Sequence, residues 1–271
     1  YQHMFPKHIH QIWFDFNNGI EIDEERMELM DMNKMKALKN KNKHKYDLWT
    51  LSMAIEFVEK YYPYYLSFLK KKWKYDIVKC DFFRYLLMYH YGGLYVDLDF
   101  VLTDNFMNMY ENHSDSKIVL FEEWYDSVNL KKITSSQGSL HNGFLLSKPK
   151  NEFWLAMINQ TVTSAPLVQT KNDVWKMSGT NLLRNMYISF RDVSIDHCPY
   201  YYVCSFQCVG HKGKIIQCTN KDSPPLPLSE SSWKFFSLNE YIEENKKINS
   251  SVFKDCYAVC IGVKNGSLWV H

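Results

Sequence analysis

The sequence predicts an α/β protein, because segments with the periodicity of a helix alternate along the chain with short apolar segments typical of strands. Neither an internal repeat nor a strong linker divides the 271 residues. The proline-rich stretch at residues 223–228 is the main break, and it predicts a loop. We therefore predict a single domain that spans residues 1–271.

The predicted strands are short apolar runs. The first is a partly apolar run with a proline near its start, and the second alternates apolar and polar residues with the period of a strand. In chain order the predicted strands cover residues 5–14, 94–99, 117–122, 142–147 and 257–263.

The predicted helices are longer and more charged. Pro63 interrupts the second of them, and Ser237 with Glu240 forms a capping box for the last. The third ends at Gly92 and Gly93, a pair that suits a left-handed C-cap. In chain order the predicted helices cover residues 23–38, 49–70, 78–91, 152–161, 179–190 and 238–247.

Composition excludes several classes of protein. With 46% hydrophobic and 23% charged residues the chain is neither disordered nor collagen-like. Lys+Arg number 32 and Asp+Glu 30, so the net charge of +2 gives no general attraction to nucleic acid. No window approaches the roughly 18 apolar residues that a transmembrane helix needs.

The most informative segment is residues 79–105. Asp81 and Arg84 are three residues apart on a predicted helix and share a face. Tyr95, Asp97 and Asp99 alternate on the next predicted strand and should project to one side. The diglycine folds the end of the helix against the start of the strand, so one compact unit should present all five side chains.

Two neighbouring carboxylates are costly unless they are hydrated, paired or bound to a cation. Mg²⁺ and Mn²⁺ prefer such oxygen ligands and often share them with phosphates. Asp97 and Asp99 therefore predict a divalent-metal site, with Asp81 and Arg84 placed beside it for sugar hydroxyls. The alternative is a surface Asp pair next to an ordinary helical ion pair.

The same residues suggest a second reading. Residues 96–104 resemble the nucleophile strand of haloacid-dehalogenase phosphatases, with Asp192 and Asp196 imitating a later acidic motif. Phe100 stands where that motif normally has Gly, and about 95 residues precede a strand that is normally the first. Both departures weigh against a phosphatase.

Four blocks of sequence, in the expected order, resemble the DXD glycosyltransferases of GT-A fold. These include yeast Golgi mannosyltransferases, capsular-polysaccharide sugar transferases and, more distantly, clostridial glucosylating toxins. The blocks are residues 6–14, 76–105, 142–149 and 265–269, and the second is the most specific. The resemblance implies a mixed, mostly parallel sheet with helices on both faces, and residues 164–255 as a variable region on the acceptor side.

The resemblance also implies roles for the donor-binding residues. Trp13 would stack on the nucleotide base, and Tyr95 would line the nucleotide pocket. Asp81, Arg84 and Asn142 would hold the donor sugar.

The remaining roles concern the diphosphate and the metal. Asp97 would contact ribose or metal, and Asp99 would ligate Mn²⁺ or Mg²⁺. Ser267 and Trp269 would close over the diphosphate, and the third metal ligand stays open between Asn265 and Ser267. His271 is a weaker candidate for that ligand. Other departures from the family pattern are Cys260, Lys264 and the altered motif Ser178-Gly179-Thr180.

The function implied is a metal-dependent, retaining hexosyl transfer from a nucleoside-diphosphate sugar to an acceptor hydroxyl. UDP-sugars are expected ahead of GDP-sugars. The acceptor is expected to be a glycan, with a lipid, a protein or a small molecule left open. The compartment stays open between the cytoplasm and, if an N-terminal anchor has been removed, the Golgi lumen. A degenerate protein that binds nucleotide-sugar without turnover is the alternative from another class.

A cysteine-rich insert covers residues 197–218. It contains four of the seven cysteines and two histidines, but no C-x₂-C pair. Zinc, one or two disulfides, and free thiols in a β-hairpin are all open. The cysteines and histidines of the insert are Cys198, Cys204, Cys208, Cys218, His197 and His211.

Overall fold

The computed structural model describes residues 4–16, 22, 24–39, 43–123, 139–190, 194–198, 203–205 and 258–260. Within these ranges helices and strands alternate, which confirms the predicted α/β class. The strands are β1 (His8–Trp13), β2 (Lys45–Thr50), β3 (Gly93–Val96), β4 (Phe100–Leu102), β5 (Ile118–Glu123), β6 (Ser139–Leu140), β7 (Phe144–Ser147), β8 (Ile195–Cys198), β9 (Val203–Ser205) and β10 (Ala258–Cys260). The helices are α1 (Glu24–Lys39), α2 (Leu51–Tyr61), α3 (Leu66–Lys70), α4 (Val78–His90), α5 (Phe106–Asn112), α6 (Glu152–Ser164), α7 (Lys171–Met177) and α8 (Thr180–Phe190). Two 3₁₀ turns, Pro63–Tyr65 and Ala165–Leu167, complete the described elements.

The main sheet has seven strands in the order β2-β1-β3-β7-β5-β6, with β8 paired to β5. The pairings β1–β2, β1–β3 and β5–β8 are parallel, whereas β7 runs antiparallel to β3 and β5. Strands β2, β1, β3, β5 and β8 therefore point in one direction and β7 and β6 in the other, which confirms a mixed, mostly parallel sheet. A second sheet has the order β4-β10-β9.

The sheet separates two hydrophobic cores, because alternate residues of a strand face opposite sides. On one side Tyr95 and Leu145 pack with the buried face of α4 and with residues of α2, α3 and α6. On the other side Leu94 and Leu146 pack with residues of α1 and α5. Helices thus cover both faces, as predicted.

The junction between α4 and β3 forms as the diglycine predicts. Gly92 and Gly93 have φ angles of +63° and +87°, and the N–H of Gly92 donates to the carbonyls of Leu87 and Met88. A Cβ on Gly93 would lie 2.3 Å from the carbonyl oxygen of His8. Only glycine allows the helix to end this close to β1.

The predicted strand over residues 94–99 is wrong at its end. Strand β3 stops at Val96, and a turn follows, closed by the Phe100 N–H donating to the Asp97 carbonyl at 3.2 Å. Asp97 and Asp99 therefore lie on a turn and not on one face of a strand. The alternating pattern continued through the turn, so periodicity could not locate the end of the strand.

The predicted helix over residues 49–70 is also wrong in part. Strand β2 ends at Thr50, whose hydroxyl caps α2 by accepting from the N–H of Met53, and Pro63 starts a 3₁₀ turn before α3. The predictions missed α5, α7 and the short strands β2, β4, β6, β8 and β9. The helix predicted at residues 238–247 lies outside the described residues.

Candidate active site

The candidate site lies at the carboxyl ends of β1 and β3, which run side by side in parallel. Trp13 is the last residue of β1, and Asp97 immediately follows β3. The side chain of Gln11 donates to the Asp97 carbonyl at 3.3 Å and ties the two strand ends together. Open α/β sheets bind ligands outside this end of their strands.

Asp97 is held by a buried cation. Arg84 approaches both carboxylate oxygens of Asp97, at 3.2 and 3.3 Å, and its guanidinium lies 4.8 Å from the ring centre of Tyr95. The Tyr95 hydroxyl also donates to Asp97. The Asp97 side chain remains 33% exposed, whereas that of Arg84 is 5% exposed. Arg84 and Tyr95 therefore orient the Asp97 carboxylate from its buried side, while its other side is accessible to solvent.

Asp81 is more deeply buried than Asp97, and both of its carboxylate oxygens have partners. Its carboxylate accepts from the Ser178 hydroxyl at 2.6 Å and the Asn142 amide at 3.1 Å, and it pairs with Arg84 at 3.3 Å. Arg84 in turn donates to the Asn142 carbonyl at 2.8 Å. Burying a charge is tolerated when it is paired and hydrogen-bonded in this way.

Electrostatics follow from this burial. Burial alone would lower the pKa of Arg84, but Asp97, Tyr95 and Asp81 raise it well above its ordinary value. Burial raises the pKa of Asp81, against the opposing effects of Arg84 and the Ser178 hydroxyl. One permanent cation therefore serves two carboxylates.

Asp99 occupies the turn after Asp97. Burial and then the neighbouring Asp97 charge raise the pKa of Asp99 to about 6, and Arg26 opposes the shift. Two carboxylates that resist ionising together suit a divalent cation, whose charge would relieve their repulsion. The two carboxylates thus fit a divalent cation such as Mn²⁺ or Mg²⁺, and direct ligation by Asp99 stays a prediction.

Trp13 is largely buried at the end of β1, with 9% of its surface exposed. The Arg26 guanidinium lies 5.9 Å from the centre of its ring. A nucleotide base stacked on Trp13 would therefore contact an indole ring that the Arg26 guanidinium also approaches. Base stacking by Trp13 stays a prediction.

The structure brings five of the predicted site residues into contact: Asp81, Arg84, Tyr95, Asp97 and Asn142. Asp99 lies on the same turn as Asp97, and Trp13 ends the neighbouring strand β1. Asn265, Ser267 and Trp269 lie outside the described residues, as do Lys264 and His271. Their roles in binding diphosphate or metal stay predictions.

Sequence reasoning missed three residues of the site. Ser178 belongs to the altered motif of the sequence, and Arg26 was not among the predicted site residues. Gly143 carries no side chain because a Cβ there would lie 2.4 Å from Oδ2 of Asp97. The one sequence signal for Gly143 is its position between the predicted site residue Asn142 and the apolar residues that form β7.

Most of the cysteine-rich insert lies outside the described residues. Cys198 is a buried cysteine on β8 whose sulfur contacts the His113 ring, and Cys204 lies on β9. Cys80, on α4, is a free, buried thiol. Within the described part of the chain, no helix is both long enough and apolar enough to cross a membrane.

The segment that carries most of the site is similar in sequence to known proteins. Residues 26–117 match the family described as "Glycosyltransferase sugar-binding region containing DXD motif". The chain is 35% identical over 96 residues to the mannosyl phosphorylinositol ceramide synthase SUR1 of Saccharomyces cerevisiae, covering 35% of this chain and 23% of that protein. It is 32% identical over 94 residues to inositol phosphoceramide mannosyltransferase 1 of Schizosaccharomyces pombe, covering 35% of this chain and 28% of that protein.

The chain thus spans about a quarter of the length of these relatives. Among solved structures, the PaToxG glycosyltransferase superposes with a TM-score of 0.44 at 15% identity, covering 69% of this chain and 70% of that one. The matched residues 26–117 include α1, α4 and the Asp97–Asp99 turn, which carry most of the site. Residues 26–117 are thus similar in sequence to the sugar-binding region that contains a DXD motif in glycosyltransferases.

Proposed function

We propose that this protein is a metal-dependent glycosyltransferase that moves a hexose from a nucleoside-diphosphate sugar to an acceptor hydroxyl. The observation that carries the proposal is the Asp97 side chain, one-third exposed and held by Arg84 and Tyr95 next to the buried Asp81. The buried charges of Arg84 and Asp81 are costly to desolvate. Together they hold one accessible carboxylate, that of Asp97, at the edge of the sheet.

Each side chain has a task in this reaction. Asn142, which is partly exposed, would hold a hydroxyl of the donor sugar and would be oriented by the buried Asp81, while Asp97 would accept from the ribose. Asp99 would hold the metal ion, which supplies positive charge to the departing diphosphate when bound. Arg26 would add a second positive charge near Trp13 and Asp99.

We further propose retention of anomeric configuration through a front-face reaction, in which acceptor and leaving group occupy one side of the sugar. Support comes from Asp81, since both of its oxygens already accept hydrogen bonds and it is nearly fully buried. A carboxylate so engaged is poorly suited to attack the anomeric carbon. An inverted product, or a trapped covalent glycosyl-enzyme, would contradict this mechanism.

The substrates to test first come from the relatives. The names of both relatives refer to a mannosyl group and to an inositol phosphoceramide. We propose mannose as the first sugar and an inositol-phosphate lipid as the first acceptor. UDP- and GDP-linked sugars both belong in the screen.

The phosphatase hypothesis gains no support from the site. Its proposed nucleophile, Asp97, is tied to Arg84 and Tyr95, and Asp196 lies with His113 instead of beside it. Release of phosphate from simple phosphomonoesters would nevertheless favour that alternative.

The test compares wild type with Asp99→Asn in thermal-shift and donor-hydrolysis assays, with Mn²⁺ and with EDTA. We expect one donor to stabilise the wild type only when metal is present, with slow sugar release that Asp99→Asn abolishes. Asp104→Asn is the matched control, because that carboxylate is exposed and pairs with Lys36. Donor binding without turnover would support the degenerate protein, and no donor binding by folded protein would refute the proposal.

A further inference from the structure

A second group of chemically reactive side chains lies away from the candidate site. Nδ1 of His113 is 2.5 Å from Oδ2 of Asp196, and Sγ of Cys198 lies 3.5 Å from Nε2 and 3.9 Å from Nδ1 of the same ring. His113 caps the C-terminus of α5, and the other two residues lie on β8. Neither spacing nor a motif groups His113 with the cysteine-rich insert in the sequence.

The fold brings these residues together through the pairing of β8 with β5. Asp196 and Cys198 are two residues apart on β8, where they lie opposite Val119 and Phe121 of β5 and share one face of the sheet. The core that contains Cys198 also contains Phe121 and residues of α5. The same packing fixes the end of α5, and with it His113, above Cys198.

We propose that His113, Asp196 and Cys198 bind a divalent cation of the zinc type. Thiolate, imidazole and carboxylate are all zinc ligands, and three protein ligands leave a position for water. The ligand atoms lie within 4.8 Å of one another. Zinc–ligand bonds of about 2.0–2.3 Å separate neighbouring ligand atoms by about 3–4 Å, which matches the spacing of sulfur and imidazole.

Ion binding requires one small adjustment. The imidazole and carboxylate now form a 2.5 Å hydrogen bond, which must open to roughly 3 Å when both ligate one ion. The side chain of Asp196 is 40% exposed, so it can move and admit an ion from solvent. His113 and Cys198 are more buried and would provide the fixed part of the site.

A similar-looking cluster elsewhere shows what a structural network looks like. His8, His10 and Asp47 are also close together, but Nδ1 of His10 accepts from Trp49 and its Nε2 contacts the Gly92 carbonyl. The Lys45 ammonium lies 2.6 Å from the Asp47 carboxylate. A cation bound there would meet the positive charge of Lys45, so that cluster carries no proposal.

The proposed zinc site is independent of the DXD site. Cys198 packs on the face of the sheet that carries Leu94 and Val96, whereas Tyr95 faces the other core. The ligand types also differ, because sulfur favours zinc and an all-oxygen pair favours Mg²⁺ or Mn²⁺. The two sites can therefore be titrated separately.

The experiment measures zinc affinity by competition with a chromophoric chelator, on the reduced full chain with excess Mg²⁺ to saturate the DXD site. We expect one tight zinc ion per chain in wild type, and at least tenfold weaker binding in Cys198→Ser and in His113→Gln. Cobalt should give a thiolate charge-transfer band in wild type that Cys198→Ser removes. Cys80→Ser is the matched control, since Cys80 is a free, buried thiol on α4.

The His113→Gln variant decides the outcome, because His113 is distant in sequence from the cysteine-rich insert. Tight binding that persists in His113→Gln would place the ion among other cysteines and overturn the proposal, as would no zinc binding by wild type. If either variant fails to fold by circular dichroism, Asp196→Asn replaces it, since Asp196 is partly exposed. Asp99→Asn should leave zinc binding unchanged, so failure here is distinguishable from failure of the proposed transferase.

Discussion

At the scale of single residues, the candidate site depends on how buried polar groups satisfy one another. Arg84 serves Asp81 and Asp97 together, and Ser178 and Asn142 complete the hydrogen bonds of Asp81. Because each of these groups is buried or held from one side, the loss of one partner leaves another uncompensated.

Ser178→Ala removes the 2.6 Å hydrogen bond to Asp81 and leaves a buried carboxylate oxygen without that donor. We expect donor hydrolysis to fall about tenfold, which corresponds to about 1.4 kcal/mol in the barrier. Ser189→Ala is the control, because its hydroxyl bonds only to the Asn185 carbonyl on an exposed helix surface. Equal rates for Ser178→Ala and wild type in steady-state kinetics would argue against a role for Ser178.

Gly143→Ala places a Cβ 2.4 Å from the Asp97 carboxylate. We expect Asp97 to be displaced, so that metal-dependent donor binding is lost while circular dichroism remains like wild type. Gly179→Ala is a milder control, since its Cβ would come no nearer than 3.2 Å to the backbone of Trp175. Calorimetric titration with nucleoside diphosphate and Mn²⁺ measures the difference.

At the scale of secondary-structure elements, the turn that carries Asp99 is supported by α1. Asn33 is fully buried, and its amide donates to the Phe100 carbonyl and accepts from the Leu102 N–H, both at 2.8 Å. One side chain thus pairs with the edge of β4 as a strand would. This contact fixes the position at which the turn after β3 ends.

Asn33→Ala should destabilise the protein by about 2–3 kcal/mol, because two buried backbone groups of β4 lose their partner. Urea denaturation measures the change in unfolding free energy. Asn185→Ala, on the exposed surface of α8, should change it by less than about 0.5 kcal/mol. A similar loss in both variants would show that Asn33 contributes no more than a surface residue.

At the scale of the whole molecule, two histidines with lowered pKa values, the buried His141 and the half-buried His90, predict sensitivity to acid. Burial lowers the pKa of His141 to about 4, and the pKa of His90 is lowered to about 4 by burial and by Lys150. The unfolded chain binds these protons near pH 6.5, whereas the folded protein does not. The stabilising contribution is therefore present above pH 6.5 and is lost as the pH falls toward 4.

His141→Gln tests this dependence. The variant should lose less stability than wild type between pH 6.5 and 4, by on the order of 1–3 kcal/mol. Thermal unfolding at several pH values measures the difference, and the comparison at pH 8 controls for changes in packing. Parallel curves for the two proteins would contradict a buried, neutral His141.

The sequence by itself determined the α/β class, the diglycine junction and the cluster of Asp81, Arg84, Tyr95 and Asp97. These follow from local rules: helical spacing, the glycine requirement at positive φ, and the short chain between α4 and β3. They could be predicted because all of the contributing residues are close in sequence.

Only the tertiary structure decided the contacts between distant segments. Ser178 meets Asp81 across 97 positions, and His113 meets Cys198 across 85. The end of β3 was misplaced for the same reason, since the turn at Asp97–Asp99 is set by Asn33 and Gly143 and not by its own alternation. Periodicity reports which face a residue occupies, whereas packing of the whole chain decides which faces meet.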